Sequence, residues 1–167
     1  PIKPGTDGAF LLAMINFIIH ELGIYDEEFL KKMTNSPYLV GTDGYFVRDE
    51  ATGKILIWDS IDRRAKPHDD STVKDYALLG EYAHNGVACR PSFQVLKDHI
   101  KQYTAEWAAA ITQVSPPTIR RIARDFIDNA RIGSTIQIEG HSFPYRPVDL
   151  MIGRPLEAGM HCYQHYL

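Results

Sequence analysis

Two short turns in this 167-residue chain carry the side chains best suited to bind a ligand. The first, residues 4–8, reads Pro-Gly-Thr-Asp-Gly and precedes an apolar run typical of a helix. Glycine lets a ligand approach the backbone closely, the N–H groups at a helix start attract phosphate, and a carboxylate accepts from a base or ribose. Gly5, Thr6 and Asp7 are therefore candidate ligand-binding residues, although such a turn also serves as an ordinary helix cap.

The second turn, residues 140–146, reads Gly-His-Ser-Phe-Pro-Tyr-Arg and follows a strand predicted over Thr135–Glu139. In open parallel sheets, ligands bind beyond the carboxyl ends of the strands. His141 and Tyr145 can act as general acid or base, and Arg146 can orient an anionic oxygen or pair with a phosphate or carboxylate. The remaining candidates in this turn are the binding residues Gly140 and Ser142.

A third arrangement of potential ligands is His161 and His165, with Cys162 between them. This spacing can place two imidazoles on one helix face, as in zinc sites, but a third and fourth ligand are missing. A buried, hydrogen-bonded histidine is the favoured interpretation, and the sequence predicts no metal ligand. The two cysteines, Cys89 and Cys162, are also too few for a four-cysteine zinc site or an iron–sulfur cluster.

The elements that must position the two turns form an α/β pattern. The run Ala9–Leu22 predicts a helix closed by Gly23, with apolar residues almost all the way round. Such a helix normally lies on a parallel sheet, yet Thr135–Glu139 is the one convincing core strand. We therefore expect strands before Pro1 and after Leu167 to complete the sheet. The fold class is then a fragment of a doubly wound, dinucleotide-binding-like α/β domain with β-hairpin insertions.

The rest of the chain alternates between hairpins and amphipathic helices. Residues 37–90 predict an insertion that contains hairpins, with a type I′ turn at Asn85-Gly86. The predicted helices are 26–33, 92–102, 105–111 and 116–130, with a last one from about Asp149. We expect all of residues 1–167 to belong to one domain.

Composition excludes several classes of protein. Hydrophobic residues make up 44% and charged residues 23%, values ordinary for a globular protein and not for a disordered one. The net charge of −3 gives no basic field for a phosphate backbone, so no nucleic-acid partner is expected. The longest apolar stretch, Ala9–Ile19, has about 11 residues against the ~20 of a membrane span, so no span is expected here. Any targeting signal would lie upstream of Pro1, which leaves a cytoplasmic or periplasmic location open.

Several motifs resemble the molybdopterin oxidoreductases, the dimethyl sulfoxide reductase family. These are Lys3–Ala9 before an apolar helix, Tyr25–Leu30, Tyr103–Ala108, Ile111-Thr112 and Ile119–Arg124. The last three are similar to the family's pattern T-x-E-W-A…I-T-G…I…A-R, with Gln113 at the position of the usual glycine.

A finer resemblance lies in the middle of the chain. The run from Pro37–Val40 through Val47–Asp49 to Trp58-Asp59 resembles the branch that contains pyrogallol–phloroglucinol transhydroxylase, acetylene hydratase and several reductases. Within the family, this makes a transhydroxylase-like enzyme slightly preferred over a reductase.

The resemblance implies a catalytic subunit carrying molybdenum or tungsten on two molybdopterin guanine dinucleotides. It places Gly5, Thr6 and Asp7 at the guanosine end of one dinucleotide, and residues 140–146 near the pterin and the metal. It also implies a small-molecule substrate and an iron–sulfur electron-transfer subunit, with the metal ligand and any iron–sulfur cluster outside this segment. The segment alone is expected to be inactive.

A function from a different class is also open. The chain could be a nucleotide-binding or structural domain that has lost its redox partners. A metal ligand and a matching dinucleotide loop elsewhere in the sequence would favour the enzyme. An ordinary NAD-binding domain is disfavoured because the Gly-x-Gly-x-x-Gly turn is missing.

Overall fold

The computed structural model describes residues 1–150, which contain five α-helices and seven strands. In chain order these elements are α1 (Asp7–Asn16), α2 (Glu27–Met33), β1 (Leu39–Gly41), β2 (Leu56–Asp59), β3 (Arg64–Pro67), β4 (Tyr82–His84), β5 (Val87–Pro91), α3 (Ser92–Ile100), α4 (Ala105–Thr112), α5 (Pro116–Asn129), β6 (Thr135–Ile138) and β7 (His141–Pro144). They divide into two compact units. Among the described residues, one comprises Pro1–Tyr25 with residues 100–150, and the other comprises Asp26–His99.

The apolar helix of the first unit forms as predicted, with a change of geometry in its last turns. After α1 the chain continues as a π-helical segment, Phe17–Leu22, and ends at Gly23, whose φ of 67° is the left-handed conformation expected of a C-terminal glycine. The predicted closing residue is therefore confirmed. Asn16, at the junction, is buried, and its amide nitrogen donates to the carbonyl oxygen of Ile100 at 2.8 Å.

Within residues 1–150, helices contact α1 and no sheet does, whereas the strands expected before Pro1 and after Leu167 lie outside the chain and stay a prediction. Ala13 on α1 is fully buried against α4 and α5. The facing positions of those helices include Ala105, Ala108 and Ala123, whose small side chains let the helix axes approach closely. α4 and α5 thus bury Ala13 and Met14, whereas Ile15 stays 40% exposed.

The second unit contains α2, most of α3 and short antiparallel strands, which confirm the predicted β-hairpins. A three-stranded sheet has the order β1-β5-β4, and β2 pairs with β3. Asn85 and Gly86 connect β4 to β5 with φ values of 49° and 79°, which confirms the predicted type I′ turn. Residues 45–47 form no named strand, but Phe46 bridges to Val40, and the Val47 N–H donates to the carbonyl oxygen of Leu39 at 2.8 Å.

A buried ion pair stabilises the β2–β3 hairpin. The Asp59 carboxylate is fully buried and accepts from Lys66 Nζ at 2.8 Å and from the backbone N–H groups of Ile61, Asp62 and Lys74 at 3.0–3.2 Å. Burial by itself would raise the pKa of Asp59, but these hydrogen bonds outweigh it and hold that pKa well below its usual range.

The strand predicted as a buried core strand is instead half of an exposed hairpin. β6 pairs with β7 in an antiparallel register, and both strands are exposed along their whole length. Residues 141–144, predicted as a loop, form β7. Glu139 and Gly140 make the two-residue turn, with φ values of 49° and 80°. The turn geometry therefore reverses the chain where a parallel arrangement would have continued into a helix.

The expected α/β class is confirmed, because helices and antiparallel hairpins alternate along residues 1–150. The helix predicted from about Asp149 lies almost entirely outside the described residues. Within residues 1–150 no single helix is long and apolar enough to cross a membrane, although the bent pair Asp7–Leu22 and Glu27–Met33 has sufficient length and composition.

The Asp59 environment predicts a pH dependence of stability. Because the pKa of Asp59 is lower in the folded than in the unfolded protein, its contribution is complete above the unfolded pKa of ~4 and is lost as the pH falls through the folded pKa. The urea midpoint of Asp59→Asn should therefore lie well below that of wild type at neutral pH. This gap, the difference between the two urea midpoints, should narrow below about pH 4. Glu50→Gln, at an exposed position of the same unit, is the control and should show little gap at any pH. A gap for Asp59→Asn that stays constant into strong acid would contradict the assignment.

Candidate functional site

The turn before α1 is a short, exposed loop whose own hydrogen bonds fix its shape. Gly5 has a φ of 75°, and a Cβ added there would meet no atom within 4 Å, so the backbone is open to an approaching molecule. The Thr6 hydroxyl donates to the Lys3 carbonyl oxygen at 2.6 Å. Thr6 is the N-cap residue of α1, but this bond diverts its side chain, so no side chain caps the helix.

The same turn is hydrogen-bonded to the end of α4. The Lys3 backbone N–H donates to the carbonyl oxygen of Thr112 at 3.0 Å. Thr112 is fully buried, and its hydroxyl oxygen accepts from the N–H of Val114. Gln113 ends α4 in the left-handed conformation, with a φ of 63°. The end of α4 therefore determines where the turn lies.

This geometry suits the polar end of a nucleotide. Because no side chain caps α1, the N–H groups of its first turn remain available, and the positive end of the helix dipole favours an anion. Asp7, at the first helical position and half-buried, adds a carboxylate acceptor beside these donors. The turn can thus donate to phosphate or carbonyl oxygens and accept from the N–H groups of a base. Gly5, Thr6 and Asp7 are brought together as the sequence indicates.

The second group of candidates lies on the β6–β7 hairpin, where pleating separates them. The register pairs Ile136 with Phe143 and Ile138 with His141, so these four side chains share one face. Ser142, opposite Gln137, lies on the other face. The rings of His141 and Phe143 contact edge to face, with centroids 6.4 Å apart. His141 and Ser142 therefore cannot present side chains to the same side of the hairpin.

The last two candidates follow β7 directly. The Tyr145 backbone N–H donates to the carbonyl oxygen of Ser134 at 2.8 Å, which extends the hairpin by one bond, and the Tyr145 side chain is exposed. Arg146 Nη1 donates to the carbonyl oxygen of Tyr145 at 3.0 Å. Four residues of extended chain span about 13 Å, so His141 and Tyr145 are too far apart to share one proton directly.

The contact that sequence reasoning misses is the bond from Lys3 to Thr112. It joins residues more than a hundred positions apart through backbone atoms, which leave no mark in residue types. The one available signal is the Ile-Thr-Gly pattern, because its glycine marks the left-handed residue that Gln113 provides here.

Potential metal ligands do not cluster in the part of the chain that the structure describes. No group of three or more histidine, cysteine, aspartate or glutamate side chains there could hold a metal ion. His161, Cys162 and His165 lie outside those residues.

Known proteins similar to this chain are redox catalytic subunits. No family model matches the sequence. One subunit of the sulfite dehydrogenase of Allochromatium vinosum is 40% identical over 141 residues, which are 75% of this chain and 14% of that protein. The alpha subunit of the chlorate reductase of Ideonella dechloratans is 32% identical over 140 residues, 74% of this chain and 15% of that protein. The chain is related to the molybdopterin oxidoreductases.

The similarity to molybdopterin oxidoreductases as a family covers much more of this chain than the match that supports one branch. The dopamine dehydroxylase of Eggerthella lenta is 55% identical, but only over 42 residues, which are 25% of this chain and 4% of that protein. The chain spans 14–15% of the length of the first two relatives. The similarity therefore confirms the family and leaves the branch undecided.

The cap of α4 predicts a stabilising substitution. A non-glycine residue in the left-handed conformation is strained, so Gln113→Gly should raise the free energy of unfolding by about 0.5–1 kcal/mol. Gln113→Ala keeps the strain and is the matched control, with no comparable gain. Urea titration measures both variants. A loss of stability in the glycine variant would show that the glutamine side chain contributes more than its backbone strain costs.

Proposed function

We propose that this chain is part of the catalytic subunit of a molybdenum- or tungsten-dependent oxidoreductase. The supporting observation is its similarity, over about three quarters of its length, to several such subunits that act in different reactions. Similarity to many enzymes of one cofactor class favours a shared cofactor function over a shared substrate. The proposal includes residues 1–167 forming part of one α/β domain that binds molybdopterin guanine dinucleotide.

The Gly5–Asp7 turn fits the guanosine end of one dinucleotide. In this proposal the first-turn N–H groups of α1 donate to the nucleotide, and the Asp7 carboxylate accepts from the guanine N–H groups. A carboxylate is the acceptor that suits the adjacent N–H donors of guanine, since it offers two oxygens. Gly5 leaves the approach open, and Thr6 keeps the turn closed through Lys3. The two bound dinucleotides would hold the metal, which supplies the two-electron redox chemistry.

The hairpin supplies the proposed groups for proton transfer. Tyr145 is the proposed proton donor to a substrate oxygen, because its hydroxyl is on an exposed side chain and its backbone is fixed to Ser134. Arg146 would orient an anionic or phenolic oxygen, and His141, on the apolar face of the hairpin, is the alternative acid or base. Gly140 and Ser142 are proposed to lie beside the pterin.

Two finer parts of the proposal concern the reaction and the partners. A transhydroxylase-like reaction is supported by the short match to a dopamine dehydroxylase, whereas the longer matches include a sulfite dehydrogenase and a chlorate reductase. The proposed partners are a small-molecule substrate and an iron–sulfur electron-transfer subunit.

The first test removes the proposed guanine acceptor. Asp7→Ala in the holoenzyme should lower the content of guanine nucleotide released on denaturation, because each unpaired guanine donor costs about 1–3 kcal/mol. Asp7 does not cap α1 through its side chain, so the variant should lose little stability.

Asp128→Ala, at an exposed position of α5, is the matched control and should keep its nucleotide. Full nucleotide content in Asp7→Ala would remove this residue from the cofactor site. A loss of nucleotide that equals the loss of folded protein would assign Asp7 a structural role only.

The second test concerns Tyr145. Tyr145→Phe removes only the hydroxyl, so a proton-donating role predicts a fall in turnover of about a hundredfold or more with metal and pterin content unchanged. Tyr45→Phe makes the same change at a side chain that is 77% exposed in the other unit, and it should retain full turnover. Normal turnover in Tyr145→Phe would leave His141 as the residue to test.

A further inference from the structure

The second unit contains a pocket that plays no part in the proposed cofactor site. It has a volume of about 410 Å³, within the range of small-molecule sites. Its lining comes from β1, β4, β5 and α3, and includes Val40, Thr42, Glu81, Ala88, Arg90 and Val95.

Three of the lining residues lie on one face of the three-stranded sheet. The register pairs Val40 with Arg90, so these side chains share that face, and Ala88 joins them by alternation along β5. Cys89, between Ala88 and Arg90 on β5, also borders the pocket and is buried in the core with Leu39. Valine and alanine therefore form an apolar floor that nothing else in the described chain covers.

Hydrogen bonds hold the walls of the pocket in place. The Gly80 backbone N–H donates to Gln94 Oε1 at 3.2 Å, and Gln94 Nε2 donates to Asp98 at 2.8 Å. The Tyr82 hydroxyl donates to the Leu79 carbonyl oxygen at 2.8 Å, and its ring stacks on Trp58 with centroids 4.3 Å apart. These contacts fix Tyr82, which lines the pocket, and the segments beside it.

One carboxylate at the pocket, that of Glu81, has no charged partner among residues 1–150. Arg90, which lines the pocket, pairs with Asp98 outside it, since its Nη1 lies 2.8 Å from that carboxylate. Glu81 makes no hydrogen bond or ion pair with residues 1–150, and neither does the side chain of Thr42. Burial raises the pKa of the Cys89 thiol, so this group adds no negative charge. One unpaired carboxylate and one free hydroxyl therefore border an apolar floor.

We infer that this pocket binds a small organic amine with an apolar or aromatic body. The ammonium group would donate to the Glu81 carboxylate, and the body would cover Val40 and Ala88. An anion of the same shape would be repelled by Glu81, and a neutral analogue would lose the ion pair. The inference does not depend on the proposed redox function, because no residue of the cofactor site lines the pocket.

Isothermal titration of the intact protein with phenethylammonium, 2-phenylethanol and phenylacetate tests the inference. Binding of the amine should be saturable and tighter than that of the alcohol, with the carboxylate weakest. Glu81→Gln should weaken the amine about fivefold, as expected for a solvent-exposed ion pair, and leave the alcohol unchanged. Glu50→Gln, on an exposed loop outside the pocket, should change none of the three affinities.

A second variant tests the location of the site independently. Ala88→Phe fills the floor of the pocket while keeping Glu81, so it should abolish binding of both the amine and the alcohol. Circular dichroism checks that the variant keeps its secondary structure. The inference fails if the amine shows no saturable binding to the wild type. It also fails if the amine binds Glu81→Gln as tightly as wild type, or if a folded Ala88→Phe retains binding.

Discussion

The packing of α1 against α4 and α5 is the constraint on which the candidate cofactor site depends. α1 begins at the proposed ligand-binding turn, and α4 ends at the residue that accepts a hydrogen bond from Lys3. Burial of Ala13 against Ala108 and Ala123 fixes the separation of these helices. The position of the turn therefore follows from a core made mostly of small side chains. A larger residue at any of these alanines would move the turn as well as destabilise the core.

The sequence predicts the helices and strands of this chain better than it predicts which of them pack or pair with one another. The apolar run from Ala9 and the proline after Ser115 identify two helices, because periodicity and capping are local properties. The identity of the elements that pack on α1, in contrast, is not determined by the nearby sequence. Apolar residues on every side of a helix show that it is buried, but helices and sheets bury it equally well. The helices α4 and α5 that contact α1 are therefore not predicted as its neighbours.

The hairpin shows a second limit of sequence reasoning. Alternation in Thr135–Ile138 correctly indicates a strand, but alternation is equally consistent with a parallel and an antiparallel neighbour. The deciding feature is the left-handed backbone of Glu139, and glutamate is not a residue that marks a type I′ turn. The sequence predicts the geometry of one group of candidate residues and misses that of the other. The Gly5–Asp7 turn forms as the motif indicates, whereas the pleat of β7 separates His141 from Ser142.

The central claim is that this chain is part of a catalytic subunit that carries molybdenum or tungsten on a guanine-containing pterin. The most direct measurement is the metal and nucleotide content of the full-length protein that contains this chain, produced anaerobically with both metals supplied. Elemental analysis should find about one molybdenum or tungsten per chain, and acid hydrolysis should release guanine nucleotide in a fixed ratio to the metal. A folded protein that contains neither the metal nor the nucleotide would contradict the claim and favour a domain that binds no redox cofactor.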